Sequence, residues 1–166
     1  MQTLFPKLTK HLVISIAIAL AIFHLYTAYF GTFPGLIQRS IHWMGISVVI
    51  FLIKLVSDYE RKKSINVMQL MFNYFLTLMA VITGVYLIVN YEAILQRIGN
   101  YTTIDLILGI VAVVLLLEAT RRALGWVLPS ITVIFIIYAF VGPWIPGLLG
   151  HNGIDFERFF ATMYLS

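Results

Sequence analysis

Two histidines are where chemistry could begin in this chain. His24 stands about six residues before the outer end of the first apolar run and His42 about five after the start of the second. At about 1.5 Å of rise per helical residue the two lie at similar depth. Imidazoles facing each other across a helix pair could ligate a haem b iron axially, as in a membrane anchor subunit of a respiratory complex. The more ordinary role is as hydrogen-bonding interface residues beside Tyr26, Tyr29, Arg39 and Trp43; no second histidine pair and no flanking glycine pattern makes room for a macrocycle. Glu118, Arg121 and Arg122 form the other constellation, because spacings of three and four bring one carboxylate within reach of both guanidinium groups. That group can be a local ion pair that anchors a helix end, or a docking contact to a partner subunit. An acid meant to relay protons or ions belongs mid-span, with no cation so close.

Lys54 and Asp58 make a further pair at spacing four, explained by a snorkelling, solvated helix edge. Asp105 follows Thr102-Thr103, where a carboxylate suits a helix N-terminus. Asn73 and Asn90 could hydrogen-bond between helices, worth about 1 kcal/mol each. There is no Gly-rich phosphate cradle, no His/Asp/Glu metal spacing and no Ser/His/Asp arrangement, so the sequence offers no catalytic, substrate-binding or metal-ligating set and reads as a non-enzyme.

The elements that must position these residues are membrane helices. With 61% hydrophobic and 11% charged residues, the chain has too few polar side chains to cover a globular core. Its 166 residues leave room for four or five spans of about 20 residues each and no extramembrane domain. The expectation is an all-α integral membrane protein, a single membrane domain over 1–166, with five hydrophobic helices at about 11–30, 37–57, 67–90, 104–123 and 126–142. An amphipathic, interfacial helix over about 154–166 follows. In that tail Phe156, Phe159, Phe160, Met163 and Tyr164 form one apolar stripe, suited to a membrane surface or a partner, with Asp155 as N-cap.

The breaks are chemically distinct. Gly31-Thr32-Phe33-Pro34-Gly35 is a tight turn, Asp58-Tyr59-Glu60-Arg61-Lys62-Lys63 a charged loop, and 91–103 a longer connection in which Ile94, Leu95 and Ile98 allow a short helix. Gly125 suits a helix C-terminus and Pro129 the first turn of the next helix, which predicts a tight hairpin. Lys7, Lys10 and His11 precede an apolar run too long for a signal peptide, with no small-residue cleavage site behind it.

The net charge of +4 reports orientation and contact with anionic lipid, because the basic residues form no stripe of the kind nucleic acid needs. With a cytoplasmic N-terminus, Lys7, Lys10, Arg61, Lys62, Lys63, Arg121 and Arg122 lie inside, against Arg39, Arg97 and Arg158 outside. The tail from Trp144 then faces the other, periplasmic side. Cysteine is absent, which removes disulfides, thiolate chemistry and Cys-bound metal centres.

Four runs carry a resemblance: Phe23-His24-Leu25-Tyr26-Thr27-Ala28-Tyr29-Phe30-Gly31, Thr102-Thr103-Ile104-Asp105-Leu106-Ile107-Leu108-Gly109, Leu117-Glu118-Ala119-Thr120-Arg121-Arg122-Ala123-Leu124-Gly125-Trp126-Val127-Leu128-Pro129, and Tyr138 to Leu149 with Asp155-Phe156-Glu157-Arg158. In this order they resemble the N-terminal part of fused permeases of tripartite ATP-independent periplasmic (TRAP) transporters, closest to the class served by a TAXI-type binding protein. The resemblance implies the small-subunit module of a bacterial inner-membrane carrier. Its partners would be a large elevator-type subunit, which holds substrate and sodium, and a periplasmic protein that delivers organic acids; no cofactor belongs to the small subunit itself. Fused members continue past the matching tail, whereas this sequence stops at Ser166, so the large subunit is expected as a separate polypeptide. The candidate subunit-interface residues are His24, Tyr26, Arg39, His42, Trp43, Glu118, Arg121, Arg122, Phe156, Phe159 and Phe160.

Overall fold

A computed structural model describes residues 4–62 and 66–165, with side chains from Lys7 onward. Lys63 and Ser64 of the charged loop, and Ser166 at the end of the tail, lie outside the described residues. No strand occurs among the described residues; the elements are α1 (Leu4–Phe30), α2 (Gly35–Lys62), α3 (Val67–Val89), α4 (Tyr91–Gln96), α5 (Thr103–Leu124), α6 (Val127–Val141) and α7 (Phe156–Leu165). Five of them are long and apolar enough to cross a membrane: α1, α2, α3, α5 and α6 with its extension to Trp144.

The spans begin and end within a few residues of the apolar runs, and the differences have reasons. Helices α1 and α2 overshoot into charged sequence, through Lys7 and Lys10 at one end and Asp58–Lys62 at the other, because hydrocarbon limits the apolar stretch and not the hydrogen-bonded helix. Helix α6 has 15 residues, about 22 Å. A 3-10 turn at Gly142–Trp144 adds about 6 Å, which brings the fifth segment close to the roughly 30 Å that a span requires.

Contacts divide the chain into two compact units, Met1–Gln96 and Arg97–Ser166. In the first, α2 packs against both α1 and α3. Lipid tails are as apolar as leucine, so close backbone approach between small residues has to hold such helices together. Ser40 and Ser47 on α2 and Ala80 and Gly84 on α3 are buried, and Gly84 provides such an approach. A Cβ on Gly84 would run into the Met44 side chain and come within 3.3 Å of the Ser40 carbonyl. Val13, Val48 and Leu52 form a buried apolar cluster, joined by Ile16, Val49 and Val81.

In the second unit α5 packs against α6 and α7. The α5–α6 turn is Gly125 and Trp126, with Gly125 at φ 84°. Pro129 is the third residue of α6, where its missing N–H costs little and no kink follows. The tail helix lies against α5: a Cβ on Gly109 would sit 2.9 Å from the Phe160 carbonyl oxygen, and Phe159, Ala161 and Tyr164 are buried.

Polar side chains inside the spans mostly close on their own helix, since there is no water to take their bonds. Ser40 donates to the Leu36 carbonyl, Thr77 to that of Asn73, Thr120 to that of Leu116 and Thr132 to that of Leu128. Asn73 and Asn90 each donate to a carbonyl one turn back, those of Gln69 and Tyr86. Trp43 bonds from one helix to another: its Nε1–H donates to Thr83 Oγ1 at 3.1 Å.

Candidate functional site

The α1–α2 hairpin brings the histidines together as their depth predicts. His24 Nε2 and His42 Nδ1 are 2.8 Å apart, with ring centroids 4.9 Å apart at 63°. One ring donates to the other. A metal–imidazole bond is about 2 Å, so two axial nitrogens around an iron stand about 4 Å apart with a macrocycle between them. The pair as it stands does not fit that arrangement. Phe23 packs edge-on against His24 and stacks on Phe33, which seats the 31–34 turn against the same spot. Trp43 turns to α3, while Tyr26 and Arg39 are exposed, Arg39 Nε donating to the Gly35 carbonyl.

At the other end of this hairpin Lys10 meets Glu60 at 2.9 Å, and Lys54 meets Asp58 at 2.9 Å. These pairs are at least partly exposed and lie where charged groups can reach water.

Glu118 is held by two arginines of its own helix. Its carboxylate takes Arg121 Nε at 2.7 Å and Arg121 Nη2 at 2.8 Å as a fork, and Arg122 Nε at 2.7 Å. The two arginines differ in setting: Arg122 is 7% exposed and Arg121 34%. Trp126 lies over the Arg121 guanidinium, 5.1 Å from its carbon to the ring centroid, a cation–π contact at the hairpin turn. Both cations also suit the negative end of the helix dipole.

At the opposite end of α5, Asp105 is fully buried. Thr102 caps the helix, its Oγ1 accepting from the Asp105 N–H while the Asp105 carboxylate accepts the Thr102 N–H at 2.8 Å, a reciprocal capping box. Arg97 Nη2 completes it, 3.0 Å from Asp105 Oδ1. The carboxylate at the helix start is legible in the sequence, whereas its pairing with Arg97, eight residues away, is not. Its pairing depends on how the 97–102 connection folds back, which includes Gly99 at φ 86°.

Sequence reasoning also passed over His151. The chain leaves α6 through the 3-10 turn and folds back so that Gly153 N–H donates to His151 Nδ1 at 3.0 Å. Nδ1 is therefore the accepting nitrogen, and Nε2–H faces the Tyr138 carbonyl at 3.2 Å. Tyr138 Oη donates to the Leu149 carbonyl at 2.6 Å. A Cβ on Gly142 would occupy the place of the His151 ring. The glycines at 142 and 153 around one histidine were the available sign of this knuckle.

Beyond it, Asp155 Oδ2 accepts from the Glu157 and Arg158 amides, the N-cap read from sequence. Phe140, Phe156, Phe159 and Phe160 form a chain of ring contacts with centroids 4.7 to 6.0 Å apart. Of the tail's candidate interface rings, Phe159 is buried and Phe160 half-buried within the chain, while Phe156 is exposed.

Among the described residues no group of three His, Asp or Glu side chains could hold a metal ion. No family model, curated protein or solved structure matches the chain.

Proposed function

We propose that this chain is the small scaffold subunit of a TRAP-type secondary transporter in a bacterial inner membrane, with its N-terminus cytoplasmic and its tail periplasmic. In this reading a large elevator-type subunit carries substrate and sodium, and a TAXI-type binding protein delivers organic acids. The small subunit contributes position. A sliding domain needs a part that stays still, and helices fixed by interfacial Trp and Arg anchors resist being dragged. The order-preserving resemblance of the four runs supports the family.

The observation that carries the scaffold role is that each of the four acids in the spanning helices, Asp58, Glu60, Asp105 and Glu118, is held by a cation of the same chain. An acid that carried ions or substrate would have to exchange its partner during each cycle. The haem-anchor reading has the histidine juxtaposition in its favour and the direct 2.8 Å bond against it; a Soret band in the purified protein would revive it.

Reconstitution tests the proposal. Proteoliposomes holding this chain alone take up no organic acid with or without a sodium gradient, and uptake appears when the large subunit is added. Sodium-dependent uptake by this chain alone would overturn the scaffold role. Glu118→Ala should lower co-purification with the large subunit more than Arg121→Ala, since it strips two cations of their shared partner. That loss costs about 3–5 kcal/mol where the group is desolvated, whereas a solvated face would lose about 0–1 kcal/mol. Wild-type yields for Glu118→Ala count against docking near this cluster.

A further inference from the structure

The turn between α5 and α6 carries more than an ion pair. Arg121 uses its Nε–H and one Nη2–H on Glu118. A guanidinium has five N–H donors, so the remaining ones have no protein partner among the described residues. The cluster of two arginines and one glutamate keeps one net positive charge, and with Arg122 turned inward at 7% exposure that charge is presented by Arg121. Trp126, 68% exposed, covers one side of the guanidinium. Leu124 and Val127 flank the site and are also exposed.

We infer that this turn holds the phosphate of an anionic phospholipid on the outward N–H groups of Arg121, beside Trp126. Two spanning helices meet here with only Gly125 and Trp126 between them, so the site lies where hydrocarbon gives way to headgroups. A guanidinium edge matches the paired oxygens of a phosphodiester, and the fork to Glu118 fixes the direction of that edge. The exposed apolar neighbours suit acyl chains, which a free anion in water does not bring. The single net positive charge suits a headgroup of charge −1; a zwitterionic lipid would set its own ammonium group beside Arg121. The inference rests on the spans and does not depend on the scaffold reading.

Native mass spectrometry of the full chain, released from micelles doped equally with phosphatidylglycerol and phosphatidylcholine, tests it. The wild type should retain phosphatidylglycerol in preference. Arg121→Gln should lower the retained ratio about fivefold, the factor that one basic residue is worth near an anionic surface, and Trp126→Leu should lower it as well. Arg39→Gln, which removes an exposed charge elsewhere, should leave the ratio unchanged. Glu118→Gln distinguishes binding from folding. It removes a carboxylate that competes with the phosphate for the guanidinium, while the amide oxygen can still accept from Arg121. The ratio should therefore rise, whereas a purely structural cluster would lose lipid in both variants. The inference is overturned by equal retention of the two lipids, by wild-type retention in Arg121→Gln, by loss in Arg39→Gln or Glu118→Gln, or by displacement of the lipid with millimolar inorganic phosphate, which would mark a soluble-anion site.

Discussion

At the scale of single residues, the acids of this chain separate by what surrounds them. Asp105 has no exposed surface and takes Arg97, the Thr102 amide and the Thr102 hydroxyl, whereas Glu60 meets Lys10 with both side chains more than half exposed. Removing one partner of a buried pair leaves an uncompensated charge and costs about 3–5 kcal/mol; removing one from an exposed pair costs about 0–1 kcal/mol. Asp105→Ala should therefore lower the unfolding midpoint in detergent far more than Glu60→Ala. Thr102→Ala, which removes a cap, should fall between them at about 1 kcal/mol. Equal midpoints for the Asp105 and Glu60 variants would contradict the structural account of the capping box. The Thr102–Asp105 spacing was legible because it is local, and so were the Glu118 group and the depth of the two histidines. The Arg97 contact and the His151 knuckle were not, because each depends on how a glycine-containing connection turns, and spacing says nothing of that.

At the scale of elements, the tail shows what an amphipathic pattern does and does not specify. The stripe of Phe156, Phe159, Phe160, Met163 and Tyr164 announces a face to be covered, and a helix forms there from Phe156 to Leu165. The pattern cannot say what covers it. Part of the cover is α5, made possible by Gly109, where any side chain would meet the Phe160 carbonyl. Phe156 and Met163 remain exposed, for lipid or a partner. Gly109→Val should push α7 off α5. A cysteine at Ala161, which is fully buried, should be inert to a maleimide in the otherwise native protein and react when Gly109→Val is added. Continued protection in the double variant would mean that α7 docks by some other contact. The bond of Asn90 belongs to this scale too: residue type predicts a need for a partner, and the Tyr86 carbonyl one turn back accepts its side-chain N–H.

For the whole molecule, the five spans follow from composition, because 61% hydrophobic residues leave few alternatives to helices in lipid, where every backbone amide and carbonyl must find a partner within its own segment. Their boundaries were legible to within a turn or so, except at the N-terminus of α1 and the C-terminus of α2, where helix continues into charged sequence. Which residues of neighbouring spans touch was not legible, since small residues such as Ala80 and Gly84 mark a contact only once their facing partners are known. Orientation is a question of charge. Lys7, Lys10, Arg61, Lys62, Arg121 and Arg122 cluster on one side of the proposed topology, and moving such loops across the membrane is disfavoured. In the proposed topology an odd number of spans sets the tail on the opposite side from these charges. The absence of native cysteine makes the test direct. In intact spheroplasts a membrane-impermeant maleimide should label Asn152→Cys, in the exposed loop before α7, and should reach Ser64→Cys only after the membrane is opened. Labelling of Ser64→Cys in sealed spheroplasts with Asn152→Cys protected would invert the topology, and would place the Arg121–Trp126 turn in the outer leaflet.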